Sequence, residues 1–183
     1  MRLAKRNLPL VDIRRHLETG PIVLVTSKQG SRTNIMTMGW HSMMQFSPAL
    51  VGCYIWEGNR SHAMIRAARE CVINVPTIEL ADQVVAIGNS HADVDDKFAM
   101  TGLTAEPARH VDAPLIAECY ASFECRLFDD RMIDDYSFFI WEVVAAHVAN
   151  VAVPRTLHYR GQGEFMIAGE TLDCHARFRP ENL

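Results

Sequence analysis

The sequence predicts a mainly β domain with added helices, built as a barrel and not as a doubly wound sheet. Short apolar runs bounded by turn residues recur at 22–26, 33–38, 50–56 and 71–75. Two longer runs, 118–129 and 136–149, are joined by an acidic stretch with no crossover helix between them. That arrangement suits an antiparallel hairpin and not a parallel sheet. There is also no glycine-rich dinucleotide fingerprint after an early strand and no Walker A string.

The 183 residues fit one domain, and 49% hydrophobic against 22% charged residues is enough apolar material for a packed core. A disordered interaction protein is excluded on the same ground. The net charge of -4, with basic residues scattered, lacks the basic stripe of a nucleic-acid binder, so no DNA or RNA partner is expected. No apolar run approaches the roughly 18 residues of a membrane helix, and the start MRLAKRNLPL has no secretory cleavage pattern. A cytoplasmic protein with no membrane partner is therefore expected. The five cysteines include no CxxC pair, and most lie in apolar runs as small hydrophobes.

Taken in order, residues 12–18 read as a short helix stopped by Gly20-Pro21, and 22–26 as a buried β-branched strand. The 27–31 stretch reverses the chain into an extended segment at 33–38. The alternation breaks over 40–48, which reads as an irregular connection carrying Met43 and Met44. A strand follows over 50–56, a helix over 61–69 and a strand over 71–75. Leu80, Val84 and Ile87 share one face of a further helix, and 93–98 reads as a short acidic one. A short strand near Thr104 is also expected. In 121–127 apolar residues alternate with Ser122, Glu124 and Arg126, the period of a half-exposed strand, while 136–149 is long enough to need a bulge. Two extended pieces around a glycine turn occupy 155–169.

One place offers an anion seat. Ser61 opens a helix whose first N–H groups lack partners, and Arg60 can add a charge-assisted fork to a phosphate placed there. The same residues also read as a plain helix cap with Arg60 and His62 in solvent. No metal site is indicated, because Asp173-Cys174-His175 cannot close one alone, and no nucleophile string or acid pair stands out.

Four strings in a fixed order carry a resemblance: Asn34-Ile35-Met36-Thr37-Met38-Gly39-Trp40, Phe46-Ser47-Pro48-Ala49-Leu50-Val51, Asn59-Arg60-Ser61-His62 and Cys71-Val72-Ile73-Asn74-Val75. Together they resemble the flavin reductase-like family, whose members bind FMN or a related flavin on a split β-barrel. The family's usual double proline is Pro48-Ala49 here. The resemblance implies a lead-in at 1–20, a flavin-binding split-barrel domain at 21–169 of flavoredoxin-like type, and a tail at 170–183.

It also implies roles. Arg60 and Ser61, with Asn59 and His62 beside them, would hold the flavin phosphate. Met36, Thr37, Met38 and Gly39 would wall the ring, joined by Trp40, Ser42, Phe46 and Ser47. Lys97 would approach the flavin or its phosphate, although a lysine in Asp95-Asp96-Lys97 equally reads as solvent-facing. His158 and Arg160 are candidates for the side where a nicotinamide arrives, or for a polar strand rim. No catalytic side chain is assigned, since the cofactor carries the redox step. The implied activity is a flavin-dependent oxidoreductase taking hydride from NADH or NADPH, with FMN or FAD as cofactor. It would pass electrons to free flavin, a protein or a small acceptor. A flavoredoxin-type electron carrier and a noncatalytic flavin-binding sensor are the alternatives. A homodimer is expected, with Met43 and Met44 at the contact.

Overall fold

The computed structural model describes residues 3–10, 13, 20–90, 96–177 and 179. In chain order the main elements are β1 (Lys5–Asn7), β2 (Val23–Gln29), β3 (Arg32–Met38), β4 (His41–Gln45), β5 (Leu50–Tyr54), α1 (Arg60–Ala68) and β6 (Glu70–Val75). A 3-10 turn (Ile78–Leu80) leads into α2 (Ala81–Asn89), then α3 (Lys97–Thr101), β7 (Ala105–Glu106), β8 (Leu115–Ile116) and β9 (Ala121–Asp129). The chain continues through α4 (Ile133–Tyr136), β10 (Phe138–Ala149), β11 (Leu157–Gly161) and β12 (Glu164–Ile167).

One antiparallel sheet dominates, in the order β3-β2-β6-β9-β10-β5-β4, with β1 added on β10. Its two ends, β3 and β4, follow one another in sequence, and among the described residues they do not pair. The barrel is therefore open between them, as the expected split barrel is. The 12-residue β10 holds the structure together by pairing with β9, β5 and β1, and its register shifts at Ile140/Trp141 and Val143/Ala145 supply the expected bulges.

Strand alternation sorts the core into layers. Val23, Val25, Ile73, Phe123, Phe139 and Trp141 fill the barrel, with four of the five cysteines, Cys53, Cys71, Cys119 and Cys125, also buried. On the outer face, Leu24 and Ile35 pack under Leu80, Val84 and Ile87, the apolar stripe expected of α2. This places α2 along β3, at the open edge of the sheet. No described helix is long and apolar enough to cross a membrane.

Three expectations are corrected. Residues 41–45 form strand β4, paired with β5. A short half-polar run at a sheet edge carries little periodicity, which hid it. β9 is half-exposed only from Arg126 onward: Ser122 and Glu124 are both 0% exposed, and the loop between β7 and β8 covers Glu124. Glu124 there accepts from the His110 N–H at 2.6 Å and from His147 Nε2 at 2.7 Å. The helix expected at 93–98 begins at Lys97, capped by the Asp96 carboxylate, which accepts from the Ala99 N–H. The helix expected at 12–18 lies outside the described residues, Ile13 excepted.

Candidate functional site

A cavity of about 230 Å³ opens where β3, the start of α1, the end of α2 and the start of α3 converge. The sheet edge explains the location, since a terminal strand leaves one row of backbone groups unpaired and other elements must gather there. Of the residues singled out in the sequence, Met36, Thr37, Asn59, Arg60, Ser61 and Lys97 line it. Residues as far apart in sequence as Met36 and Lys97 are thus brought together.

Lys97 is only 8% exposed. Its Nζ donates to the Ile35 carbonyl at 2.9 Å and to the Ser90 carbonyl at 3.4 Å, which uses two of its three N–H groups. The expectation of a solvent-facing lysine fails because α3 packs against β3 and carries the side chain inward. Burial, and then the charge of Arg60, lower its pKa below that of an ordinary lysine. Among the described lining residues Arg60 and Lys97 carry positive charge, and none is an aspartate or glutamate.

Ser61 is not the helix cap. The N-cap of α1 is Asn59, at φ -78° and ψ 132°, and its side chain makes no capping hydrogen bond. Ser61 sits inside the first turn, is 3% exposed, and accepts a hydrogen bond from Asn34 Nδ2 at 2.7 Å. The first turn of α1 contains no acidic residue, so its positive dipole end is left to the cavity. Thr37 Oγ1 donates to the Val84 carbonyl at 2.8 Å, fixing α2 against β3. Gly88 on α2 faces Thr37 across this contact, where an added Cβ would stand 3.7 Å from the threonine side chain, an ordinary packing distance.

The remaining expected residues lie off this cavity. Met38 is buried in the barrel core. His62 also turns inward, edge-on to Phe139 with ring centroids 5.1 Å apart, where burial and then the Arg66 charge lower its pKa. Gly39 and Trp40 follow β3 at the open side of the barrel, and Trp40, 72% exposed, packs on Tyr54 at 5.2 Å. Ser42 lies exposed on β4 with its hydroxyl on the Met43 carbonyl, and Phe46 and Ser47 sit in the exposed turn after it. His158 is buried on β11 against Thr156 Oγ1 at 2.9 Å, and neither it nor Arg160 lines the cavity.

Sequence reasoning missed Asn34, Gly58, Ile87, Gly88 and Ser90, which complete the lining. A polar Asn34 at the head of an apolar strand was an available signal. The contributions of Gly88 and Ser90 depend on how α2 lands on β3, which no local pattern encodes. A larger cavity, about 480 Å³, lies at the other end of α2 around Thr77, Glu79 and Glu118. Its two carboxylates against one arginine, Arg155, make it a poor seat for a phosphate.

Residues 14–166 match the family model described as the flavin reductase like domain. The chain belongs to the flavin reductase-like family. An uncharacterized protein, PYRAB12460 of Pyrococcus abyssi, is 32% identical over 122 residues, which are 67% of this chain and 70% of that protein. Among solved structures, an FMN-binding domain of a flavin reductases-like enzyme from Shewanella baltica OS155 superposes with a TM-score of 0.88 at 24% identity, covering 95% of this chain and 99% of that one. The flavoredoxin of Desulfovibrio vulgaris (Miyazaki F) gives 0.76 at 24% identity, covering 85% and 90%. The fold is that of the FMN-binding split barrels, and the family match supports a flavin-handling protein.

Proposed function

We propose that this family member is an FMN-dependent oxidoreductase that accepts hydride from NADH or NADPH. FMN, when bound, supplies the redox chemistry, passing electrons on to free flavin, a protein or a small acceptor. The observation that carries the reading is the buried Lys97 ammonium beside Arg60 in a cavity whose described lining holds no carboxylate. A buried cation is costly unless a charge answers it, and a phosphate provides that charge.

The chain's own groups fit the cofactor. Lys97, Arg60, the Ser61 hydroxyl and the first turn of α1 would hold the phosphate. Two cations suit the double charge of a terminal phosphate monoester, which favours FMN over FAD. Ile35 turns its carbonyl to the open edge of β3, and alternate residues of a strand point their backbone groups the same way. The N–H and C=O of Thr37 then face that edge too, available to the polar rim of the ring. Met36 and Trp40 would supply apolar wall.

About 230 Å³ holds a phosphate and part of a sugar chain but not a tricyclic ring, so the ring must extend past the cavity. Exposed Trp40, Met44 and Phe46 border the open side. A second copy of the chain covering this face would shield both the ring and these residues, and a homodimer is the expected assembly. Sedimentation velocity at micromolar concentration should report twice the chain mass. A strictly monomeric holoprotein would remove the dimer from the proposal.

A flavoredoxin-type electron carrier is the second reading. The burial of His158 against Thr156, away from the cavity, favours it by withdrawing that imidazole from an arriving nicotinamide. Anaerobic absorbance titration of the FMN-loaded protein with NADH and NADPH separates the two. Bleaching of the flavin band at stoichiometric nicotinamide is the expected result. A band that neither nicotinamide bleaches would assign the carrier role.

A further inference from the structure

Asn34 is a poor choice for a strand interior on local grounds, since asparagine disfavours β structure and a buried amide needs partners. It is nevertheless 6% exposed, on β3, at the wall of the cavity. The one hydrogen bond of its side chain among the described residues runs from Nδ2 to Ser61 Oγ, at 2.7 Å. That distance fits a well-formed bond between two buried side chains 27 residues apart in sequence.

We infer that Asn34 is a positioning residue that fixes the Ser61 hydroxyl as a hydrogen-bond donor to the phosphate. The inference rests on the flavin-phosphate reading above. An amide NH₂ can only donate, so the Ser61 oxygen is the acceptor of this bond. A hydroxyl carries a single proton, and no described residue accepts the Ser61 proton. With one lone pair held by Asn34, the O–H is restricted to the directions left over, and Ser61 lines the cavity with Lys97 and Arg60.

The arrangement matters for selectivity. A serine hydroxyl with no partner on its oxygen can otherwise rotate among its staggered directions and turn its proton away from a ligand. Asn34 removes that alternative without adding charge. Lys97 shows the same design, with two N–H groups tied to the Ile35 and Ser90 carbonyls and one remaining. The donors are thus oriented before the ligand arrives, which lowers the ordering cost of binding.

The test compares equilibrium binding of FMN and of riboflavin, which has the same ring and ribityl chain without the phosphate, followed by flavin fluorescence quenching. Wild type, Asn34→Ala, Ser61→Ala and the double variant are measured, with Asn34→Ser as a shorter polar replacement should Asn34→Ala fold poorly. The ratio of FMN to riboflavin affinity should fall about tenfold in Asn34→Ala, with riboflavin affinity unchanged. Ser61→Ala should lower it similarly, and the double variant no further, since Asn34 acts through Ser61. A ratio that Asn34→Ala leaves intact, or losses that multiply in the double variant, would overturn the positioning role while leaving the phosphate site standing. A wild-type protein with equal affinity for the two flavins would overturn the phosphate reading and this inference together.

Discussion

Lys97 donates to the backbone carbonyl of Ile35 at 2.9 Å across 62 residues of sequence. The contact satisfies a carbonyl on the unpaired edge of β3 and carries a positive charge into the cavity at that edge. One residue thus serves the sheet and the site together.

Replacing Lys97 with methionine keeps the length and apolar stem but removes the charge. FMN affinity should fall roughly 10- to 100-fold, because hydrogen bonds to charged groups contribute about 1.5–3 kcal/mol. Stability of the flavin-free protein should change little, since relief of a buried charge offsets the lost bond to Ile35. Thermal melts with and without FMN check both. A variant that keeps its FMN-induced shift in Tm would remove Lys97 from the site.

The lowered pKa of Lys97 gives binding a pH dependence. A phosphate favours the protonated lysine, so the bound pKa exceeds the free one and binding takes up protons between them. FMN affinity should fall as pH rises through the depressed pKa, which lies below the ordinary 10.5. The flavin-free protein behaves oppositely: between the folded pKa and 10.5 the unfolded chain binds the extra proton, so stability from this group rises with pH. Calorimetry of FMN binding in buffers of different ionisation enthalpy, at alkaline pH, measures the uptake. Lys97→Arg, which stays charged, should abolish it.

Glu124 sets a limit on the acid side. Burial alone would raise its pKa, but hydrogen bonds from His147 and from the Arg109 and His110 N–H groups outweigh that and hold it below the usual 4.5. Its contribution is therefore present above pH 4.5 and lost as pH falls through the folded value. Glu124→Leu strands three buried or part-buried donors and should cost roughly 3–5 kcal/mol in urea unfolding. A loss under about 1 kcal/mol would show that these bonds do not hold the β7–β8 loop to the sheet.

Gly88 separates stability from binding. Space exists for a methyl group beside Thr37, and alanine in a helix is favoured over glycine by up to about 1 kcal/mol, so Gly88→Ala should be at least as stable as wild type. Gly88→Leu should fold but lower FMN affinity tenfold or more by filling the cavity. Equal FMN affinity in the leucine variant would place the flavin elsewhere.

The barrel was legible wherever burial is written in apolar side chains, on one face of an element or on both. β2, β3 and β6 read directly as β-branched apolar runs, and Leu80, Val84 and Ile87 marked α2. Edges, and strands that bury polar side chains, were harder. β4 is short and half-polar, and in β9 the alternation of Ser122 and Glu124 with apolar neighbours looks solvated although both are buried. Of the site, Arg60 and Ser61 were found through their place at a helix start, but Ser61 turned out to be a hydrogen-bonded side chain within the helix and not its cap. Asn34 left a signal as a polar residue in an apolar strand, whereas Ser90 came only from packing between distant segments. The aspartates next to Lys97 made it look exposed, and the docking of α3 on β3 decided otherwise.

The most direct measurement is a crystal structure of the protein grown with FMN. The phosphate oxygens should lie about 3 Å from Lys97 Nζ and Ser61 Oγ, with the guanidinium of Arg60 on the same group. A phosphate bound at any other place, with Lys97 still turned only to the Ile35 and Ser90 carbonyls, would contradict the assignment of this cavity.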